Sequence, residues 1–173
     1  MTAYANLLGT QLSELPPACQ ALHRNYGSWA GTITVETTRA PVLRTLLRLS
    51  GLPKAVQNAP FRFTSERDKD HDIWTRQIGD HITVSRLWAD DSGQLCEQLG
   101  PMRATSQVQA NATGIQLKIQ RMWLLRLPLP AWLAPKVSTR ESQVDGQYHF
   151  DVMIRVPITG GPLVRYHGHI ETL

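Results

Sequence analysis

Ile115-Gln116-Leu117-Lys118-Ile119-Gln120-Arg121-Met122-Trp123 is the stretch that decides the fold class. Ile115, Leu117 and Ile119 alternate with Gln116, Lys118 and Gln120, the period-2 pattern of a strand with one apolar and one wet face. The same pattern recurs on both sides of it. Phe61 and Phe63 alternate with Arg62 and Thr64. Residues 71–78 and 81–88 flank the tight turn Gly79-Asp80, and residues 94–99 follow the turn Asp90-Asp91-Ser92-Gly93. Residues 102–110 lead through Asn111–Gly114 into the opening strand. Beyond it come 136–144, the turn Asp145-Gly146, 147–156 with Tyr148, Phe150, Val152, Ile154 and Val156 on one face, and 163–170.

The N-terminal third reads differently. Leu7, Leu8 and Leu12 suggest a short helix, and Pro16-Pro17 opens a second over 18–25, since Pro is tolerated in a first turn. Trp29 to Thr37 is rich in β-branched residues and reads as a strand. A third helix is expected over Val42 to Ser50, stopped by Gly51 and Pro53. Nine or ten short antiparallel strands behind helices predict one α+β domain over residues 1–173. Its mostly antiparallel sheet should be strongly curved or closed, in a calycin-like or helix-grip-like manner.

Composition narrows the rest. The chain has 173 residues, 42% of them hydrophobic, and a net charge of +4. That length suits a single sizeable core. Cys19 and Cys96 are the only cysteines, too few for a disulfide scaffold, and they read as buried thiols in a reducing compartment. No apolar run is long enough to span a bilayer, and no secretory pattern opens the chain, so a cytoplasmic location is expected. The basic residues are scattered and match no nucleic-acid-binding motif, so no nucleic acid is expected as a partner.

One apolar run is irregular. From Trp123 to Pro135 the chain reads W-L-L-R-L-P-L-P-A-W-L-A-P, and Pro128, Pro130 and Pro135 forbid a regular helix or central strand. Such a segment covers a pocket, plugs its own core, touches a membrane, or packs on another chain, which leaves a homodimer open. The third helix, with Arg39, Arg44, Arg48 and Lys54 around Leu43, Leu46, Leu47 and Leu52, has the make-up of an interfacial helix and equally of one packed on a sheet. A peripheral membrane contact follows from the first reading.

Six short motifs occur in order: L-P-P-A-C-Q-A-L-H from Leu15 to His23, W-T-R from Trp74 to Arg76, E-Q-L-G-P from Glu97 to Pro101, L-P-L-P-A-W-L-A-P from Leu127 to Pro135, F-D-V from Phe150 to Val152, and R-Y-H-G from Arg165 to Gly168. Together they are similar to the bacterial "domain of unknown function 4166" family over nearly the whole chain. The resemblance implies no established activity. Its members resemble stand-alone domains or C-terminal partners of nucleotide-binding oxidoreductase-like domains. No such partner and no G-x-G-x-x-G is present here, so no cofactor is expected.

Trp74 and Arg76 share a strand face, as do Ile82, Val84, Arg86 and Trp88 on the next, and Glu97 alternates with Leu95 and Leu99. A carboxylate and two arginines on apolar faces need each other or a ligand, because an unpaired buried charge is costly. Arg76 or Arg86 could anchor a ligand carboxylate or phosphate, and Glu97 with Arg76 is the candidate catalytic pair. The bland alternative is a structural ion pair. A metal reading rests on the last hairpin: if its paired residue numbers sum to 318, His149 faces His169 and Asp151 faces His167, on the face opposite Tyr148 and Phe150. That face is also the one expected to meet solvent. The expected role is non-catalytic binding of a small apolar or amphipathic ligand inside the sheet, at Trp74, Arg76, Arg86, Trp88, Glu97, Trp132 and Tyr166, in a cavity also lined by Leu117, Ile119 and Phe150. The alternatives are a small-molecule isomerase, cyclase or hydrolase, and an interaction module docking through the 123–135 loop.

Overall fold

A computed structural model describes residues 1–41, 43, 52–157 and 160–173. The helix expected over Val42–Ser50 lies almost wholly outside the described residues. Short helices come first: α1 (Ala3–Leu8), a 3-10 turn (Gly9–Glu14) and α2 (Pro17–Arg24). The first expected helix is split because Gly9 adopts φ +52°, a left-handed conformation that ends α1 after two turns. Strands follow: β1 (Gly27–Thr37), β2 (Val56–Asp68), β3 (His71–Ile78), β4 (His81–Ala89), β5 (Leu95–Leu99), β6 (Met102–Asn111), β7 (Gly114–Leu124), β8 (Leu127–Pro128), β9 (Lys136–Val144), β10 (Gln147–Arg155) and β11 (Pro162–Thr172).

Every long strand pairs antiparallel with its neighbour in sequence, and β11 returns to pair with β1. Among the described residues this closes a ten-stranded up-and-down barrel, with β8 as a two-residue spur on β7. Closure leaves open edge where β7 and β9 run beyond their short shared ladder. Gly114 permits the tightest approach, since a Cβ there would lie 1.8 Å from the Glu141 carbonyl oxygen, and two glycines of the β1–β11 seam come next. A Cβ on Gly31 would lie 2.0 Å from the His169 carbonyl oxygen, and one on Gly168 would lie 2.1 Å from that of Thr32.

The helices close one end. Tyr4 stacks on Trp74 at 5.5 Å between ring centres, and Leu8, Leu12, Leu15 and Leu22 are buried with it. The buried Asp72 carboxylate on β3 accepts from the Ala3 amide at 2.6 Å and from the Tyr26 hydroxyl at 2.8 Å. It thereby satisfies an otherwise orphaned donor in the first turn of α1. Thr2 accepts from the Ala5 amide and donates to the His23 carbonyl, tying α1 to α2. On α2, His23 Nε2 meets Glu141 Oε2 of β9 at 2.6 Å, with both groups buried. The Ala18 amide donates to Gln143 Oε1 at 2.7 Å. The helices share one buried core cluster with Trp29, Phe63, Leu87, Leu95, Ile115 and Tyr148 of the strands.

Candidate functional site

The barrel wall is not uniform. β7 pairs with β9 only through Ile115, Leu117 and the residue between them. Beyond that, β7 follows β6, and its last two residues also pair with the short β8. It carries one extra residue, Gln120, between Ile119 and Arg121, opposite the adjacent Thr105 and Ser106 of β6. Such a bulge bends its strand and increases local twist, and it turns the second half of β7 away from β9. A groove of about 1290 Å³ opens where they part. Leu117, Ile119, Val137 and Thr139 reach it from the inward faces of β7 and β9. Trp123, Leu129, Pro135 and Met153 also line it.

The groove is strongly basic. Lys118, Arg121, Lys136, Arg140, Arg155 and Arg165 line it, against the single carboxylate of Asp151. That carboxylate is already held by Arg165, which donates to it at 3.0 and 2.7 Å. These hydrogen bonds keep the Asp151 carboxyl below its ordinary range. The other cations have room for an anionic guest. The groove also exceeds the 300–1,000 Å³ typical of small-ligand sites.

The residues singled out from sequence fall elsewhere. Arg76 and Glu97 both point into the barrel and form an ion pair at 3.2 Å. Their side chains are 29% and 32% exposed, half-buried rather than deeply so. Arg76 also donates to Ser85 Oγ at 2.8 Å and lies over the Trp74 ring. Trp74 itself belongs to the plugged end, stacked on Tyr4 and buried. Tyr166 points inward too. Burial pushes its hydroxyl up, partly opposed by the Arg76 charge, and it has no hydrogen-bond partner among the described residues.

Arg86 and Trp88 do not face the interior. They share the outer face of β4 with exposed Ile82 and Val84, while Thr83, Ser85 and Leu87 turn inward. The correction has a physical cause: Trp88 is covered from outside by the Arg103 guanidinium at 5.1 Å and by His71 at 5.2 Å. A large aromatic on a mixed face therefore marked the outer side of the wall. Trp132 stands 68% exposed and plugs nothing. Of the expected cavity lining, Leu117 and Ile119 line the groove, whereas Trp74 and Trp88 do not.

The last hairpin pairs with residue numbers summing to 318, so His149 faces His169 and Asp151 faces His167. All four lie on the outer face, in a shallow basin of about 440 Å³. The two imidazoles stack at 5.4 Å rather than converge on a point. Asp151 is taken by Arg165, and His167 lies 3.5 Å from Glu36. Among the described residues no three His, Cys, Asp or Glu side chains form a set that could hold a metal ion. Both thiols are buried, and burial pushes Cys19 up to about 12 and Cys96 upward as well, so neither is a poised nucleophile.

Sequence reasoning missed the basic groove because it weighed cations by runs. The available clue was the opposite one. Between Glu97 and Glu141 the chain has no acidic residue but six basic ones: Arg103, Lys118, Arg121, Arg126, Lys136 and Arg140. β7 and β9 carry that bias into the wall of the groove through Lys118, Arg121, Lys136 and Arg140.

A family profile described as "Domain of unknown function (DUF4166)" matches residues 15–170. No match was found among curated proteins. Among solved structures, the crystal structure of Rv2717c from M. tuberculosis is similar at a TM-score of 0.50 and 14% sequence identity. The match covers 92% of this chain and 99% of that one. At that identity the likeness speaks to the fold.

Proposed function

This chain belongs to the DUF4166 family, and from that premise we propose that it binds a small amphipathic molecule with an anionic head group in the groove between β7 and β9. The observation that carries the reading is the pairing of apolar Leu117, Ile119 and Val137 at the base with a cationic rim that includes Arg140 and Lys136. An apolar tail seated on the inward faces leaves water, and the head group meets guanidinium and ammonium groups that can bind it in charge-assisted hydrogen bonds. The closed, plugged end of the barrel supplies a rigid floor. The parted strands supply entry where the β7–β9 ladder stops.

A fluorescent fatty-acid analogue with a free carboxylate tests this. It should bind saturably with a roughly micromolar Kd and quench Trp123, which lines the groove. Its methyl ester should bind more weakly. Ile119→Asp should abolish binding, and Arg140→Glu should weaken the acid by about tenfold while scarcely affecting the ester. Failure to saturate, or binding unmoved by Ile119→Asp, would overturn the proposal.

A further inference from the structure

The same end of the barrel carries a second feature, independent of what the groove holds. β7 and β8 are joined by Leu125 and Arg126, at φ 51° and 69°, with Trp123 opposite Pro128 and Leu124 opposite Leu127. Two successive residues in the left-handed region make the primed two-residue hairpin turn that Asn-Gly fills without strain. This chain places Leu and Arg there instead, and a large side chain in that conformation is costly. Packing does not compensate, because Leu125 is 71% exposed and Arg126 is exposed too. Leu127 is 71% exposed, and Leu124, Trp132 and Leu133 are exposed as well. Five large apolar side chains are thus displayed within residues 124–133.

The display is fixed rather than loose. The Leu129 amide donates to the Met122 carbonyl at 2.8 Å, the Leu125 amide to that of Pro101 at 2.9 Å, and the Leu133 and Ala134 amides to that of Pro130. Its position is also set. β9 runs from Lys136, beside this segment, to Val144, beside α2, so the tip stands roughly 25 Å from the helical plug.

Charge selects the partner. Arg121, Arg126 and Lys136 flank the leucines, and no acid occurs between Glu97 and Glu141. In a two-fold pairing of this patch with itself, the same cations would meet across the interface. An anionic lipid surface complements both halves: leucines and tryptophan enter the acyl boundary, and arginines stay at phosphate level. We propose that residues 124–133 form a lipid-docking tip that seats the open end of the barrel on an anionic bilayer.

The test is co-sedimentation with vesicles of phosphatidylcholine alone and of phosphatidylcholine with phosphatidylglycerol. The native chain should partition into the anionic vesicles at least about tenfold better, and its Trp emission should shift to the blue. Trp132→Phe should remove most of that shift. Leu125→Asn with Arg126→Gly supplies the relaxed turn, so this variant should melt no lower than the native chain yet lose about tenfold or more in vesicle binding. Native-like binding by that variant would overturn the proposal, as would no preference for anionic vesicles. So would a lipid-free dimer in analytical ultracentrifugation that the double substitution dissolves, since the occupant would then be a second copy. Vesicles free of fatty acid keep this result separate from the groove's.

Discussion

Arg76 meets Glu97, Ser85 and the Trp74 ring at once, and the exposure of the pair sets what that contact contributes. At roughly one-third exposure, water screens it, so a double-mutant cycle of Arg76→Met and Glu97→Gln should give a coupling of about 0.5–1 kcal/mol in thermal melts. Additive losses would show that the two side chains do not act together. On the outer face His149 has a different consequence. Burial, and then the neighbouring His169, lower its pKa from the ordinary value, so in the window just below pH 6.5 the unfolded chain binds more protons than the folded one. Stability should therefore fall as pH drops through that window, and His149→Gln should flatten the fall. Melting curves at several pH values check it, and an identical pH profile in the variant would refute it. These residues also show where sequence reading reaches its limit. The His149–His169 and Asp151–His167 pairings followed from the hairpin count. That Asp151 would be held by Arg165 did not, because two side chains on neighbouring strands can choose partners that backbone register leaves open.

At the scale of elements, strands were legible wherever polar and apolar residues alternate under a clear turn, as in β7, β10 and β11. The facing of β4 was not, because its apolar set Ile82, Val84 and Trp88 is the outward one. Period-2 alternation says that two faces differ, not which is inside. The inward residues of β4 are chosen by what already lies within the barrel, such as the Arg76 head group that Ser85 binds. The bulge at Gln120 was equally hidden, since nothing in an unbroken alternation marks an extra residue. The β1–β11 seam is sensitive to change. Gly168→Ala would place a methyl group against the Thr32 carbonyl. Strands paired on both sides cannot separate locally, so the variant should lose about 3 kcal/mol or more, read as a large fall in melting temperature or as failure to fold. The docking of α2 on β9 should also be demanding: Glu141→Leu leaves the His23 Nε2 buried without its partner, and a loss of about 1–3 kcal/mol is expected.

At the scale of the whole molecule, the barrel has two unlike ends. One is sealed by α1, the 3-10 turn and α2 over the buried core cluster. The other carries the groove, the acid-poor wall and the exposed leucines. Among the described residues no helix is long and apolar enough to cross a membrane. The family match begins at residue 15, yet Tyr4, Leu8 and Leu12 lie before it and are almost fully buried. Deleting residues 1–14 should therefore test whether the plug is part of the domain. Returning three such side chains to water costs about 6 kcal/mol in transfer free energy alone, comparable with the whole stability of a typical domain. It also strips the Tyr4 ring from Trp74 and the Ala3 amide from Asp72. The truncated chain should lose cooperative melting, shift its Trp emission to the red and bind anilinonaphthalene sulfonate strongly through the uncovered core. Native melting and no added dye binding would mean that the ten strands pack their own closed end, and that the N-terminal helices only cover it.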